Sequence, residues 1–530
     1  MLLFGLGTFA VIAMLLYFFW CPKSARSLPF PPGPPRDPVI GHLRYMPTKN
    51  RATVFHTWAK TYGDVMYLDI LGKPTIVLNT ARVAVDLLNK RSSIYSDRPR
   101  FTSYELRVWL GTVKIRPNRT ISRTGWATTL SLMPYGRRFN LHRQLHQSYL
   151  NRRKCREFKP IQTLEAQSLV KNLLESEPLN YSKMINRYES GVIAQVVAGH
   201  KICSDEDPYM RTTQALMESL GRSGAPGTSR IDLFPFLKYL PKWFPGSESV
   251  ALARDCRPIL RQLYEFPLQA VQKQMEKGVA KPSFLLTQLD QMGERVDFED
   301  IRWAAAAMFG STQVWSSLTV FILAMLLHPE YQYKAQREID AVIGTSRLPA
   351  FEDRDHLPLV ESIMQETLRW HPPTELGVPH RLMKDDVYQG MFIPKGSTVF
   401  ANIRAMSLDR SIYSAPESFF PERFLPKPAG KEEPRFSSAY GFGRRICTGQ
   451  YLGDQSLWIG IASILATCRI SNVNDERGNV IVPDASTIMR TSHPNDFQYI
   501  ISPRGPKAEE LITEVNLEAE FSSLPSANLA

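Results

Sequence analysis

Tyr440-Gly-Phe-Gly-Arg-Arg-Ile-Cys-Thr-Gly449 sets one cysteine, Cys447, behind two closely spaced glycines and two arginines, with a third glycine two residues later. Two readings of it fail. A dinucleotide-binding turn needs G-x-G-x-x-G after a strand; Gly441 and Gly443 fit, but Ile446 occupies the third position. A structural zinc site needs more Cys or His at short spacing, and the nearest other cysteine is Cys468, with no histidine nearby. What remains is a lone thiolate on a glycine-kinked loop, with cationic side chains close enough to stabilise an anion. A haem iron takes such a thiolate as its proximal ligand, and the electron push favours O–O cleavage. Gly443 and Gly449 let the backbone approach a porphyrin and turn N–H groups to the sulfur. The fixed guanidinium fork of Arg445 suits a propionate.

The stretch resembles the haem-binding signature F-x-x-G-x-R-x-C-x-G of the cytochrome P-450 family, with Tyr440 where the family usually has Phe. Other family marks lie in the expected order. Glu366-Thr-Leu-Arg369 puts a carboxylate and a guanidinium on one helix face, and Pro421-Glu-Arg-Phe424 supplies another arginine. They resemble the E-x-x-R and P-E-R-F motifs, which implies a structural triad of Glu366, Arg369 and Arg423. Tyr135-Gly-Arg-Arg-Phe139-Asn-Leu-His-Arg143 resembles the W-x-x-x-R segment. Phe139 stands in the Trp position, so only Arg143 carries over as a propionate partner.

The distal side departs most. Where the family's central helix carries A/G-G-x-D/E-T-T, this chain reads Phe309-Gly310-Ser311-Thr312-Gln313-Val314. Gly310 is in place to open a groove for oxygen. Thr312 holds the acid position and Gln313 the alcohol position, so the motif offers no carboxylate. A hydroxyl or an amide can orient a water, but neither gives up a proton as an acid does.

The chain has 530 residues, 43% hydrophobic and 22% charged, enough for a large core, and no linker, repeat or low-complexity tract divides it. Six cysteines at irregular spacing show no disulfide framework, which favours a reducing compartment. The net charge of +13 comes without a basic block interleaved with aromatics, so nucleic acid is not an expected partner. An anionic membrane surface or an acidic redox partner accounts for it more simply.

Leu2 to Trp20 is a run without charge, and a helix over it would be ~28 Å long, about one hydrocarbon core. Lys23, Arg26 and Arg36 follow it, which directs the bulk of the chain to the cytosol. A cleaved signal peptide fits less well, because the run has no charged n-region and Phe18-Phe-Trp-Cys21 is no small-residue cleavage site. Residues 2–20 are therefore read as a transmembrane anchor and 21–36, with Pro31-Pro-Gly-Pro-Pro35, as a basic and proline-rich hinge. The catalytic domain is read over 37–505 and a disordered tail over 506–530. Sequons at Asn118 and Asn180 would face away from the lumen.

Periodicity predicts helices near 81–93, 138–150, 158–176, 208–220, 248–277, 299–328, 330–343 and 358–370, and another from Gly449 to Ala466. Hairpins are predicted at 65–79 and 386–402, with last strands near 469–502. Residues 111–124 are polar, basic and featureless, either a surface loop near a substrate entrance or a translated intron. Phe234 to Gly246 mixes aromatics with lysines, as a membrane interface favours.

The resemblance, which includes fungal microsomal members, implies a mainly α fold: a triangular helical body with small β sheets. It implies haem b (iron protoporphyrin IX), with Cys447 as axial ligand, Arg445 and Arg143 on propionates, and Gly310, Thr312 and Gln313 on the distal side. The expected function is a monooxygenase of fungal secondary metabolism or xenobiotic oxidation. It would insert one oxygen atom of O2 into an apolar organic substrate. Its partners would be NADPH-cytochrome P-450 reductase and the endoplasmic reticulum membrane, with the catalytic domain cytosolic. The missing acid leaves two alternatives: a haem-thiolate isomerase, dehydratase or peroxide-using enzyme, or a haem-binding protein with impaired turnover.

Overall fold

The computed structural model describes residues 28–521 except 108, 117–118, 125–128, 176–179, 224–228, 242, 245–247, 293–295, 311–312 and 485–496. The anchor expected over 2–20, Asn118, Thr312 and residues 522–530 lie outside the described residues.

Two helices are apolar on every face, so they can only be interior. In Gln313–Leu327 every residue from Ser316 to Leu326 is buried. In Gln450–Thr467 the same holds from Ser456 to Thr467. Phe298–Leu327 is long and apolar enough to cross a membrane, yet 75% of its apolar window is buried inside the protein. Lys159–Glu175 and Tyr181–Ala198 complete the packing, and one apolar cluster runs through all of them.

The sheet is smaller. Val65–Ile70 and Lys73–Leu78 form the expected hairpin, and Lys73–Leu78 pairs in parallel with Thr398–Ala401. His380–Arg381 closes the other side of Thr398–Ala401. The hairpin expected over 386–402 is shorter than read. It joins Asp386–Tyr388 to Met391–Ile393 through Gln389 and Gly390, at φ 50° and 75°. Two left-handed residues in a two-residue turn match the twist of the strands, and Thr398–Ala401 leaves for the main sheet.

Other readings need correction. The helix expected over 248–277 is two, Glu248–Asp255 and Arg257–Glu276. Pro258 opens the second, where its fixed φ and missing N–H suit a first turn. The helix expected over 299–328 is Phe298–Phe309 and Gln313–Leu327, with Gly310 ending the first. Residues 506–521 are not a disordered tail but a helix, with Ile512 buried in the main cluster. Residues 111–116 and 119–124 lie in an antiparallel ribbon of Trp109–Arg116 with Arg119–Thr124.

Glu366 leaves the helix Pro358–Trp370 into full burial together with Arg369 and Arg423. Arg369 donates from Nε and Nη2 to the two carboxylate oxygens at 2.7 Å each. Arg423 Nε donates to both oxygens at 3.0 and 3.1 Å, and its Nη1 reaches Glu433 Oε2 at 2.7 Å. Glu433, absent from the motif reading, makes the cluster two carboxylates and two guanidiniums. Removing one member strands a buried charge. Glu366→Gln should lower stability by about 3–5 kcal/mol, read as a drop in the urea midpoint. Glu433→Gln, at the cluster's more exposed end, should cost less.

Candidate active site

The cysteine loop is shaped before Cys447 is reached. Gly441 and Gly443 take φ 79° and 55°, which other residues resist. A Cβ on Gly443 would stand 2.0 Å from the Leu88 carbonyl oxygen, so the loop lies directly on the segment Val85–Lys90. The Cys447 N–H then donates to the Tyr440 carbonyl at 2.9 Å and closes the turn. Burial pushes the Cys447 thiol up, while a hydrogen bond from the Gly449 backbone and the Arg143 charge pull it down.

A cavity of about 400 Å³ opens over the sulfur. Arg98, Arg143 and Arg445 line it, together with His380, Gly310 and Gln313. Arg143, from Arg137–Tyr149, donates to the Ile446 carbonyl at 2.7 Å. Arg445 donates to the carbonyls of Ser96, Leu130 and Met133, and burial pulls its guanidinium down to about 9. Its guanidinium carbon sits 3.7 Å from the centre of the Phe139 ring. The Phe in the Trp position therefore keeps a cation–π partner while losing an indole donor.

Arg98 escaped the sequence reading. It is buried and donates to Ser131, Val378 and Pro379 carbonyls at 2.8 to 2.9 Å. Burial, then the nearby Arg445 charge, holds its pKa well below the ordinary arginine value. His380 escaped as well; its Nδ1–H donates to the Tyr95 carbonyl at 2.8 Å. No spacing in the sequence joins these residues to Cys447, because they arrive from separate strands and loops. Among the described residues, none of the three guanidiniums hydrogen-bonds a carboxylate. The cavity thus combines a half-buried thiol with three guanidiniums, of which Arg98 and Arg445 feel Asp97 without a hydrogen bond to it, a fit for a flat group bearing a metal and two carboxylates.

His146 ties this loop to the central helices. Its Nε2 lies 2.9 Å from the Ala304 carbonyl and its Nδ1 2.9 Å from the Thr448 hydroxyl. A carbonyl only accepts, so Nε2 carries the proton and Nδ1 accepts from Thr448. Burial lowers the His146 pKa to about 4.

The cytochrome P450 family model matches residues 31–499. Cytochrome P450 monooxygenase 136 of Postia placenta is 33% identical over 530 residues, covering 98% of this chain and 97% of its own. A cytochrome P450 monooxygenase of Armillaria gallica is 35% identical over 517 residues, covering 95% of this chain and 98% of its own. A solved zebrafish cytochrome P450 with abiraterone superposes with a TM-score of 0.68 at 21% identity, over 86% of this chain and 100% of that one. That structure speaks for the fold.

Two measurements test the site's construction. Gly443→Ala must hold a side chain at φ 55° against the Leu88 carbonyl, and should lose about 1–3 kcal/mol. Gly505→Ala, where a Cβ meets nothing within 4 Å, should stay within about 0.5 kcal/mol of the parent. His146, lowered from 6.5 to about 4 by folding, favours unfolding once the unfolded chain binds its proton. Its contribution is full above about 6.5 and is lost as pH falls toward about 4. His146→Gln should flatten thermal stability over that window.

Proposed function

Because this chain belongs to the cytochrome P450 family, we propose that Cys447 is the residue that would hold its haem iron. The chain is a haem-thiolate monooxygenase, with haem as cofactor and O2, a redox partner and an organic substrate as reactants. The observation that carries the residue assignment is the grouping of Cys447, Arg98, Arg143 and Arg445 around one cavity. When bound, the haem supplies O2 activation, with a thiolate ligand that favours O–O cleavage.

The chain's own residues do the rest. Arg98, Arg143 and Arg445 hold the two propionates by guanidinium–carboxylate hydrogen bonds, which are stronger than those to the carbonyls. The Gly449 N–H and the Arg143 charge favour the thiolate and offset part of the burial that raises the thiol, and bonding to iron would complete its deprotonation. Gly443 and Tyr440 fix the loop, the first by its backbone and the second by its carbonyl. Gly310 and Gln313 line the oxygen side, where the Gln313 amide orients water. Val192, Ile193, Val196 and Leu263 give the cavity apolar walls, which suits an apolar organic skeleton and excludes bulk water. Electrons come from NADPH through a cytochrome P450 reductase.

The protein works at the endoplasmic reticulum membrane with its catalytic domain in the cytosol. The 2–20 run supports this, and so does the segment from Phe234 to Phe244. There Phe236, Tyr239 and Trp243 are 62%, 78% and 81% exposed, an apolar surface of the kind that seeks an interface.

The reduced, CO-bound protein should show a Soret band red-shifted well beyond that of histidine-ligated haem, and Cys447→Ser should abolish the shift. Persistence of the band in the variant overturns the ligand assignment. Full-length protein should remain in the membrane pellet after a high-salt wash. Deleting residues 2–20 should weaken that retention, and adding Tyr239→Ser with Trp243→Ser should weaken it further.

A further inference from the structure

The central helix brings no acid to the oxygen side, but another helix does. Glu189 lies in Tyr181–Ala198, is 5% exposed and lines the same cavity as Cys447 and Gln313. Its Oε1 accepts the Val314 N–H at 3.4 Å, and its Oε2 accepts the Trp315 N–H at 3.0 Å. Both N–H groups belong to Gln313–Leu327, and these charge-assisted hydrogen bonds fix the carboxylate against that helix. The Trp315 indole N–H donates to the Ser182 carbonyl and hydroxyl at 3.1 and 3.2 Å, so the helix carrying Glu189 is fastened there by a second residue. The carboxylate is thus held one residue from Gln313, at the wall of the cavity.

We propose that Glu189 is the proton-delivering carboxyl of the oxygen side, acting through Gln313 and the water it orients. This rests on the haem-thiolate reading above. The coupled reaction is RH + O2 + 2e⁻ + 2H⁺ → ROH + H2O, with both electrons from the redox partner. If protons arrive late, O2 + 2e⁻ + 2H⁺ → H2O2 takes over. Glu189 gives its carboxyl proton to cavity water, is stabilised as the carboxylate by the two N–H donors, and regains a proton from water. It is a positioning and relay residue, since no contact with substrate or cofactor is needed.

The test uses the full-length holoenzyme and two variants, Glu189→Gln and Glu189→Asp. A CO spectrum with the red-shifted band first shows that the haem-thiolate site is intact; its absence in the parent would sink the ligand reading instead. Glu189→Gln should keep that band, slow product formation by about 10²-fold, divert electrons to hydrogen peroxide and alter the solvent deuterium isotope effect. Glu189→Asp should restore most of the coupling. In the resting protein, without turnover, infrared difference spectra should lose a carboxyl band in Glu189→Gln. Unchanged coupling and isotope effect, with only a lower unfolding temperature, would reduce Glu189 to a structural contact and overturn the proposal. Should Glu189→Gln take up no haem, Gln313→Leu carries the test: peroxide output equal to the parent's there overturns it too.

Discussion

Glu366 takes four hydrogen bonds from two guanidinium groups, and the Phe420 N–H adds a fifth at 2.8 Å. The guanidiniums spend their remaining donors on Glu433 and on carbonyls of Ser407, Ser414, Ala415, Pro416 and Ser418. A stretch with little regular structure is thereby pinned to the helix Pro358–Trp370 through charge. The cysteine loop emerges at the end of that stretch, so its position depends on this buried cluster. Such a cluster contributes less to net stability than its contacts suggest, since desolvating the charges is costly. Its effect is to leave the backbone before the loop with one arrangement.

The cavity shows the opposite economy. Arg98 and Arg445 are buried, depressed in pKa by that burial, and satisfied by carbonyl oxygens alone. Asp97 supplies part of the countercharge and a bound dianionic group would add to it, so cofactor uptake and folding are linked by mass action. The Phe139 ring under Arg445 fits the same account, holding a cation in place without neutralising it.

The cysteine loop, the Glu366 cluster and most helices were legible because each is a local pattern. What stayed hidden is physical as well. Tyr181–Ala198 buries Asn186, Glu189 and Ser190 beside its apolar residues, so no clean stripe marks it as a helix. Arg51–Tyr62 buries only Ala52 and Phe55, too little for a periodic signal. Arg98, His380, Glu433 and Glu189 are ordinary residues in sequence, and only the fold brings them to their partners. Gln389 gave no warning of a left-handed turn because glutamine seldom adopts one.

Phe298–Phe309, capped by Gly310, and Gln313–Leu327 have different allegiances. Phe298–Phe309 is fastened to Arg137–Tyr149, through Asp300 with Arg138 and His142 and through Ala304 with His146. Gln313–Leu327 is fastened to Tyr181–Ala198 through Glu189 and Trp315. The cavity wall therefore draws on two helices, each fastened to a different neighbour. A substitution that loosens one of these fastenings need not loosen the other, so the two stretches of cavity wall are free to vary separately.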